Sequence, residues 1–268
     1  MELRQRALEV LRLCDPEEKS AAALDMYAQA ARISIATETR LTAPPADTLP
    51  GRPARPQLLH HTAVARRSPA TPEGRAVLIH AIAHIEFNAI NLALDAIWRF
   101  AGMPETFYRD WLRVAAEEAK HFRLLRDHLR RQLHHDYGDF PAHQGLWSMC
   151  EKTADDIVAR MALVPRTLEA RGLDATPLIQ HKLRQVGTPD ALAAVAILDT
   201  ILREEVGHVA IGNHWYGWLC TRAGLDPVAH YAALVQRYEA PRPKPPLNEA
   251  ARRAAGFSEA EMRWLQHG

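Results

Sequence analysis

An all-α fold, an antiparallel four-helix bundle with extra N-terminal helices and proline-rich arms, is what this sequence predicts, on three observations. Glu117-Glu118-Ala119-Lys120-His121 returns later in the chain as Glu204-Glu205-Val206-Gly207-His208, so Glu-Glu-x-x-His occurs twice. Each copy lies within an apolar stripe at helical spacing: Trp111, Val114, Ala115, Phe122, Leu125 and Leu129 around the first, and Ala194, Ile197, Leu198, Ile201, Gly212 and Trp215 around the second. Further acids, Glu86 and Glu169, stand symmetrically to these motifs about two chain reversals, at Gly102 and Gly187.

The elements follow in order. Residues 2–13 and 17–33 read as helices, the second started by Asp15 before Pro16 and carrying Leu24, Tyr27, Ala28, Ala31 and Ile35 on one stripe. From Leu41 to Pro72 seven prolines forbid regular structure and predict an extended arm lying on the domain. Within it, Gly51-Arg52-Pro53-Ala54-Arg55-Pro56 is either a docking segment or an inert surface loop.

Thr71 as N-cap and Pro72 in the first turn start a helix that runs to Phe100, with Ile79, Ile82, Ala83, Glu86, Ile90, Ala93 and Ile97 on one face. After Gly102 and Met103-Pro104 a second long helix reaches about His134. Glu86 and Glu118 each lie ~24 Å from the turn at a rise of ~1.5 Å per residue, so antiparallel helices bring them to one depth. A third helix runs from near Ser148 to Glu169 and stops at Gly172, and Thr176-Pro177 starts a short one to about Val186, so the third helix is expected to be broken. Gly187-Thr188-Pro189-Asp190 launches the last long helix, which ends near Arg222. A short helix after Pro227, the linker Pro241 to Pro246 and a terminal helix from Ser258 complete the chain. This predicts three regions: 1–70, helices and arm; 71–222, the bundle; 223–268, the tail that packs back across it.

At 268 residues the chain can bury roughly three quarters of its unfolded surface. A hydrophobic share of 47%, a charged share of 24% and a formal charge of +1 are ordinary for a water-exposed globule and give no overall field that recruits nucleic acid or anionic lipid. Cys14, Cys150 and Cys220 are odd in number and widely spaced, which fits free thiols in a reducing compartment better than disulfides. No apolar run approaches membrane-spanning length and no leader is visible, so the expected location is cytoplasmic.

Collecting the stripe-facing groups gives Glu86, then Glu118 with His121, then Glu169, then Glu205 with His208. Buried carboxylates need a partner charge, and a metal is the economical one. One Glu from each of two helices and a Glu-x-x-His from each of two more is the ferritin-like arrangement for a dinuclear site. Four carboxylates and two imidazoles favour two iron ions, with manganese or a mixed iron and manganese pair also compatible, over structural zinc. Glu151, Asp155 and Asp156 share the segment of Glu169 and compete for its role. The alternative is a bundle whose Glu/His pairs simply hydrogen-bond each other. Glu117 and Glu204 either hydrogen-bond the ligand imidazoles or are solvated at the bundle edge. His80 and His84 point ~120° and ~160° away from Glu86, which makes them expected surface histidines. His60, His61, His134, His135 and His143 receive no role.

The segments His84 to Ile90, Glu118 to His121, Leu168 to Asp174, Glu205 to Ala210 and Pro241 to Pro246 resemble a ferritin-like family of bacterial and plant proteins catalogued as domain of unknown function 455. A more distant likeness is to the tRNA isopentenyladenosine hydroxylases, which have a comparable Glu-Ala-Arg in the third helix. The family resemblance implies a diiron four-helix bundle without an established reaction, and the pattern of Glu117 and Glu204 resembles the acids that hold ligand imidazoles in diiron monooxygenases. The expected activity is oxidation or hydroxylation of a small organic substrate by dioxygen. The substrate would enter along the third helix or beneath the proline-rich arms, and electrons would come from an external donor, since no nucleotide-binding glycine loop is present. Iron handling as a ferroxidase, tRNA-nucleoside hydroxylation with Arg123, Arg126 and Arg130 as docking surface, and a metal-stabilised structural protein are the alternatives.

Overall fold

The computed structural model describes residues 2–45, 48–60, 62–64 and 67–267. His61, which received no role, lies outside them. Among the described residues every regular element is helical, apart from two isolated β-bridges, Glu2 with Ser34 and Leu58 with Ala142. The chain forms two compact units, Met1–Trp147 with Val186–Ile197, and Ser148–Gln185 with Leu198–Gly268.

The first unit is built on α3 (Pro72–Arg99) and α4 (Glu105–Gln132), packed along each other, with α1 (Leu3–Leu11) against α3 and α2 (Pro16–Ala28) against α4. The helix starts follow their signals. Thr71 accepts from the Gly74 N–H, and Asp15 accepts from Glu17 and Glu18 N–H ahead of α2. Gly102 turns the hairpin at φ +77°, a conformation that favours glycine, and its N–H is held by Thr37 O at 2.8 Å. The C-terminal carbonyls of α3 are not left to water. Buried Arg4 donates to Ile97 O at 3.2 Å and Trp98 O at 2.9 Å, and to the carbonyls of Ala36, Thr37 and Thr39. One cation on α1 thereby ties the N-terminal helix to the end of α3.

Two expectations change here. The second helix ends at Ala28, not Ile33, and residues 29–32 form turns. By length and composition α3 is apolar enough to cross a membrane, contrary to the sequence reading, but 72% of that stretch is buried within the protein, as in a core helix.

The second unit holds α6 (Ile157–Leu163), a π-helical stretch Val164–Glu169, α7 (Ala170–Val186), most of α8 (Pro189–Ala223), α9 (Pro227–Arg237), α10 (Glu249–Ala254) and α11 (Glu259–His267), preceded by α5 (Gly145–Lys152), which straddles the boundary. The expected break at Gly172 does not occur. α7 passes through both Gly172 and Pro177, and the interruption falls earlier, at 153–156 and in the π-turn. Pro177 lacks the N–H that would serve the Leu173 carbonyl, and the Asn248 amide donates to that oxygen instead, at 3.1 Å. Arg252, also on the C-terminal segment, pairs bidentately with Asp174 at 2.6 and 3.0 Å. The tail therefore docks on the kinked helix. Pro165 sits in the π-turn, where Thr167 Oγ1 donates to Ala162 O at 2.8 Å. A Cβ on Gly212 would come within 2.5 Å of the Pro165 side chain, so only glycine lets α8 approach this turn.

Candidate metal centre

In the first unit three of the six expected ligands come together. Glu86 is on α3, and Glu118 and His121, three residues apart, share one face of α4. His121 Nδ1 lies 3.2 Å from Glu86 Oε2 and 3.4 Å from Glu118 Oε2. All three side chains are buried, and their ligand atoms lie within 4.8 Å of one another. That spacing suits groups sharing one cation at bond lengths of about 2.0–2.2 Å. A buried Glu/His group that could hold a metal ion is thus present.

The electrostatics describe the same cluster with protons in place of a metal. Burial and the neighbouring Glu118 carboxylate push Glu86 up to about 8, against the pull of His121. Burial by itself would lower the His121 imidazole, but its hydrogen bonds with Glu118 and Glu86 win and raise it to about 11. Near neutrality Glu86 therefore keeps its proton, and the buried His121 imidazolium has the carboxyl groups of Glu86 and Glu118 beside it.

In the second unit Glu205 and His208 form an equivalent i, i+3 couple on α8, with His208 Nδ1 3.5 Å from Glu205 Oε1 and both side chains buried. Glu205 Oε2 is buried with no hydrogen-bond partner among the described residues, a costly position for a carboxylate oxygen. Glu169 closes the π-turn and is buried. Its competitors fall away on position: Glu151 and Asp155 are exposed, and Asp156 caps α6 by accepting from Ala159 N–H at 2.9 Å. Glu117 and Glu204 are half-buried.

His80 and His84 are not surface residues. Both are buried, because the segment that follows α4 folds over that face of α3. His84 Nδ1 accepts from the Tyr137 hydroxyl at 2.8 Å and Nε2 donates to His143 O at 3.0 Å, while His80 Nε2 accepts from Gly138 N–H at 2.9 Å. Burial lowers both imidazoles to about 4.

Sequence reasoning also passed over Lys19. It is fully buried, donating to Gly51 O at 2.7 Å and Asn91 Oδ1 at 2.6 Å. Its spacing to Ala23 and Met26 on the inward face of α2 was the available signal. Burial lowers its ammonium to about 7.

The family model described as "Protein of unknown function (DUF455)" matches residues 12–263. An uncharacterized protein of Haemophilus influenzae is 46% identical over 272 residues, covering 97% of this chain and 92% of its own. No solved structure matches.

Proposed function

Taking as premise that the chain belongs to the DUF455 family, we propose that it is a dinuclear metal-carboxylate protein that oxidises a small organic substrate with dioxygen. The observation that carries this reading is the buried group Glu86, Glu118 and His121. In the proposal these three hold one side of the centre, and Glu169, Glu205 and His208 complete it within a ferritin-like four-helix bundle. Three further facts support it. The Glu205 and His208 couple repeats the geometry of Glu118 and His121, Glu205 keeps a buried oxygen without a hydrogen-bond partner among the described residues, and Glu169 is the buried acid of its segment.

Iron suits this oxygen-rich donor set, with manganese or a mixed pair as the variants. Held by these six side chains, an iron pair would provide redox chemistry toward dioxygen, with electrons from an external donor. The chain's own groups have separable tasks. Glu86 and His121 yield protons as metal enters, since only their deprotonated forms bind it. Phe87 and Phe122, neighbours in sequence of Glu86 and His121, pack with ring centroids 5.3 Å apart and keep water from that side. Glu117 and Glu204 orient the ligand imidazoles.

A small substrate is favoured over tRNA by the state of the basic helix face. Arg123 pairs with Glu17 at 3.1 Å, Arg126 and Arg130 share Asp136 at 2.8 Å, and Arg131 lies 3.7 Å from Asp127, so three acids offset most of the charge of these four arginines. The free thiols Cys14, Cys150 and Cys220 support a reducing compartment, the cytoplasm. The test is oxygen uptake: iron-loaded, chemically reduced protein should consume dioxygen, and Glu118→Ala protein should not. Equal uptake by both would overturn the proposal.

A further inference from the structure

The π-turn that ends on Glu169 also carries a buried cation, Arg166, which is 2% exposed. Its guanidinium donates to Asn213 Oδ1 of α8 at 2.9 Å and to Glu261 Oε1 of α11 at 2.7 Å. The rings of Tyr216, Tyr231 and Phe257 surround it, with their centroids 5.1, 4.8 and 4.7 Å from the guanidinium carbon. Side chains of α8, α9 and the C-terminal segment thus converge on one residue of the turn.

That turn is an uncommon form of backbone, and it sets where Glu169 lies. The Ala170 N–H reaches back five residues to Pro165 O. A π-turn holds one residue more than an α-turn, and at 3.6 residues per turn one residue is a rotation of ~100°. Relaxation to α geometry would swing Glu169 by that angle relative to α6. The contacts that oppose relaxation reach the turn from other elements. They are Arg166 with Glu261 and Asn213, and the Thr167 hydroxyl with the Tyr231 hydroxyl at 2.8 Å. Glu261 is itself fixed, since its second oxygen accepts from Ser258 N–H at 2.7 Å and Oγ at 2.8 Å. The pair is nearly shut off from water, where salt screens least and loss of one partner strands the other charge.

We propose that Arg166 is a positioning residue for the metal centre, locked by Glu261 so that the π-turn holds Glu169 on the side it needs to act with Glu205 and His208. It rests on the metal reading above and adds a part for the C-terminal helix, which supplies no ligand yet completes the site. Asn213 couples the same guanidinium to α8, the helix that bears Glu205 and His208.

The experiment is anaerobic titration of full-length, metal-free protein with ferrous iron, with Mössbauer spectra of the loaded protein and amide hydrogen exchange over residues 164–170 before loading. Parent protein is compared with Glu261→Gln, which touches no proposed ligand, and with Asn248→Ala, which loosens the tail at Leu173 O and leaves the Arg166 contacts in place. The parent should take two irons. Glu261→Gln should hold one of them at least about tenfold more weakly, with one of the two iron signals altered and faster exchange in the turn. Asn248→Ala should bind iron as the parent does. Arg166→Gln should weaken the same iron further, and if that variant fails to fold, the comparison of Glu261→Gln with Asn248→Ala still decides. Folded Glu261→Gln that holds both irons as the parent does, or whose turn exchanges no faster, overturns the proposal and leaves the metal reading standing. An equal loss in Asn248→Ala overturns it as well, since any loosening of the tail would then suffice. A parent that binds no iron removes the metal reading, and the proposal with it.

Discussion

His121 Nδ1 lies 3.2 Å from Glu86 Oε2 across the α3–α4 hairpin, so residues from two helices meet at one depth through a hydrogen bond. With Glu86 raised to about 8 and His121 to about 11, both groups are protonated in metal-free protein near pH 7. Metal uptake should therefore release protons. Calorimetric titration in two buffers of different ionisation enthalpy should give heats that differ in proportion to the buffer, and affinity should rise with pH between neutrality and about 8. Identical heats in both buffers would remove the proton exchange from the account.

Glu118 bears most directly on the ligand set, since its replacement leaves α4 helical. Glu118→Gln preserves shape and removes the charge. Metal affinity should fall at least about a hundredfold, or about 2.7 kcal/mol, while the circular dichroism stays that of the parent. Retained affinity in a folded variant would exclude Glu118 as a ligand.

Asn248→Ala tests how a proline is accommodated inside α7. The substitution removes the donor to Leu173 O and the side chain that accepts from Ala251 N–H at 3.3 Å to start α10. The expected loss is about 1–3 kcal/mol in denaturant unfolding. Little or no loss would mean the carbonyl beside Pro177 needs no substitute donor.

His80 sets a pH window. Burial holds its folded value at about 4, whereas the unfolded imidazole titrates at its ordinary 6.5. Between those values the unfolded chain binds the extra proton, so the contribution is fully present above pH 6.5 and is lost as pH falls toward 4, by at most about 3 kcal/mol. His80→Gln should flatten the acid limb of the stability profile. An unchanged slope between pH 6.5 and 4 would assign it to other groups.

The long helices and the couples on α4 and α8 were legible because their signals are local. Thr71-Pro72 starts a helix, Gly102 takes φ +77°, and Glu-x-x-His places two side chains on one face. What escaped sequence reasoning depended on partners distant in the chain. Pro177 reads as a helix start until Asn248 supplies the missing donor. His80 and His84 point away from Glu86, but the helical wheel does not reveal that Tyr137 and its neighbours cover that second face. Nothing local names the partners of buried Lys19, since its acceptors, Gly51 O and Asn91 Oδ1, lie 32 and 72 residues away.

Six side chains on four helical segments are proposed to hold a metal pair. Metal analysis per chain, on parent protein and on a Glu118→Ala, His208→Ala double variant loaded in parallel with iron, tests it most directly. About two irons per parent chain, and nearly none in the folded double variant, are expected. Full metal retention by the double variant, or a parent chain that binds no iron, would contradict it.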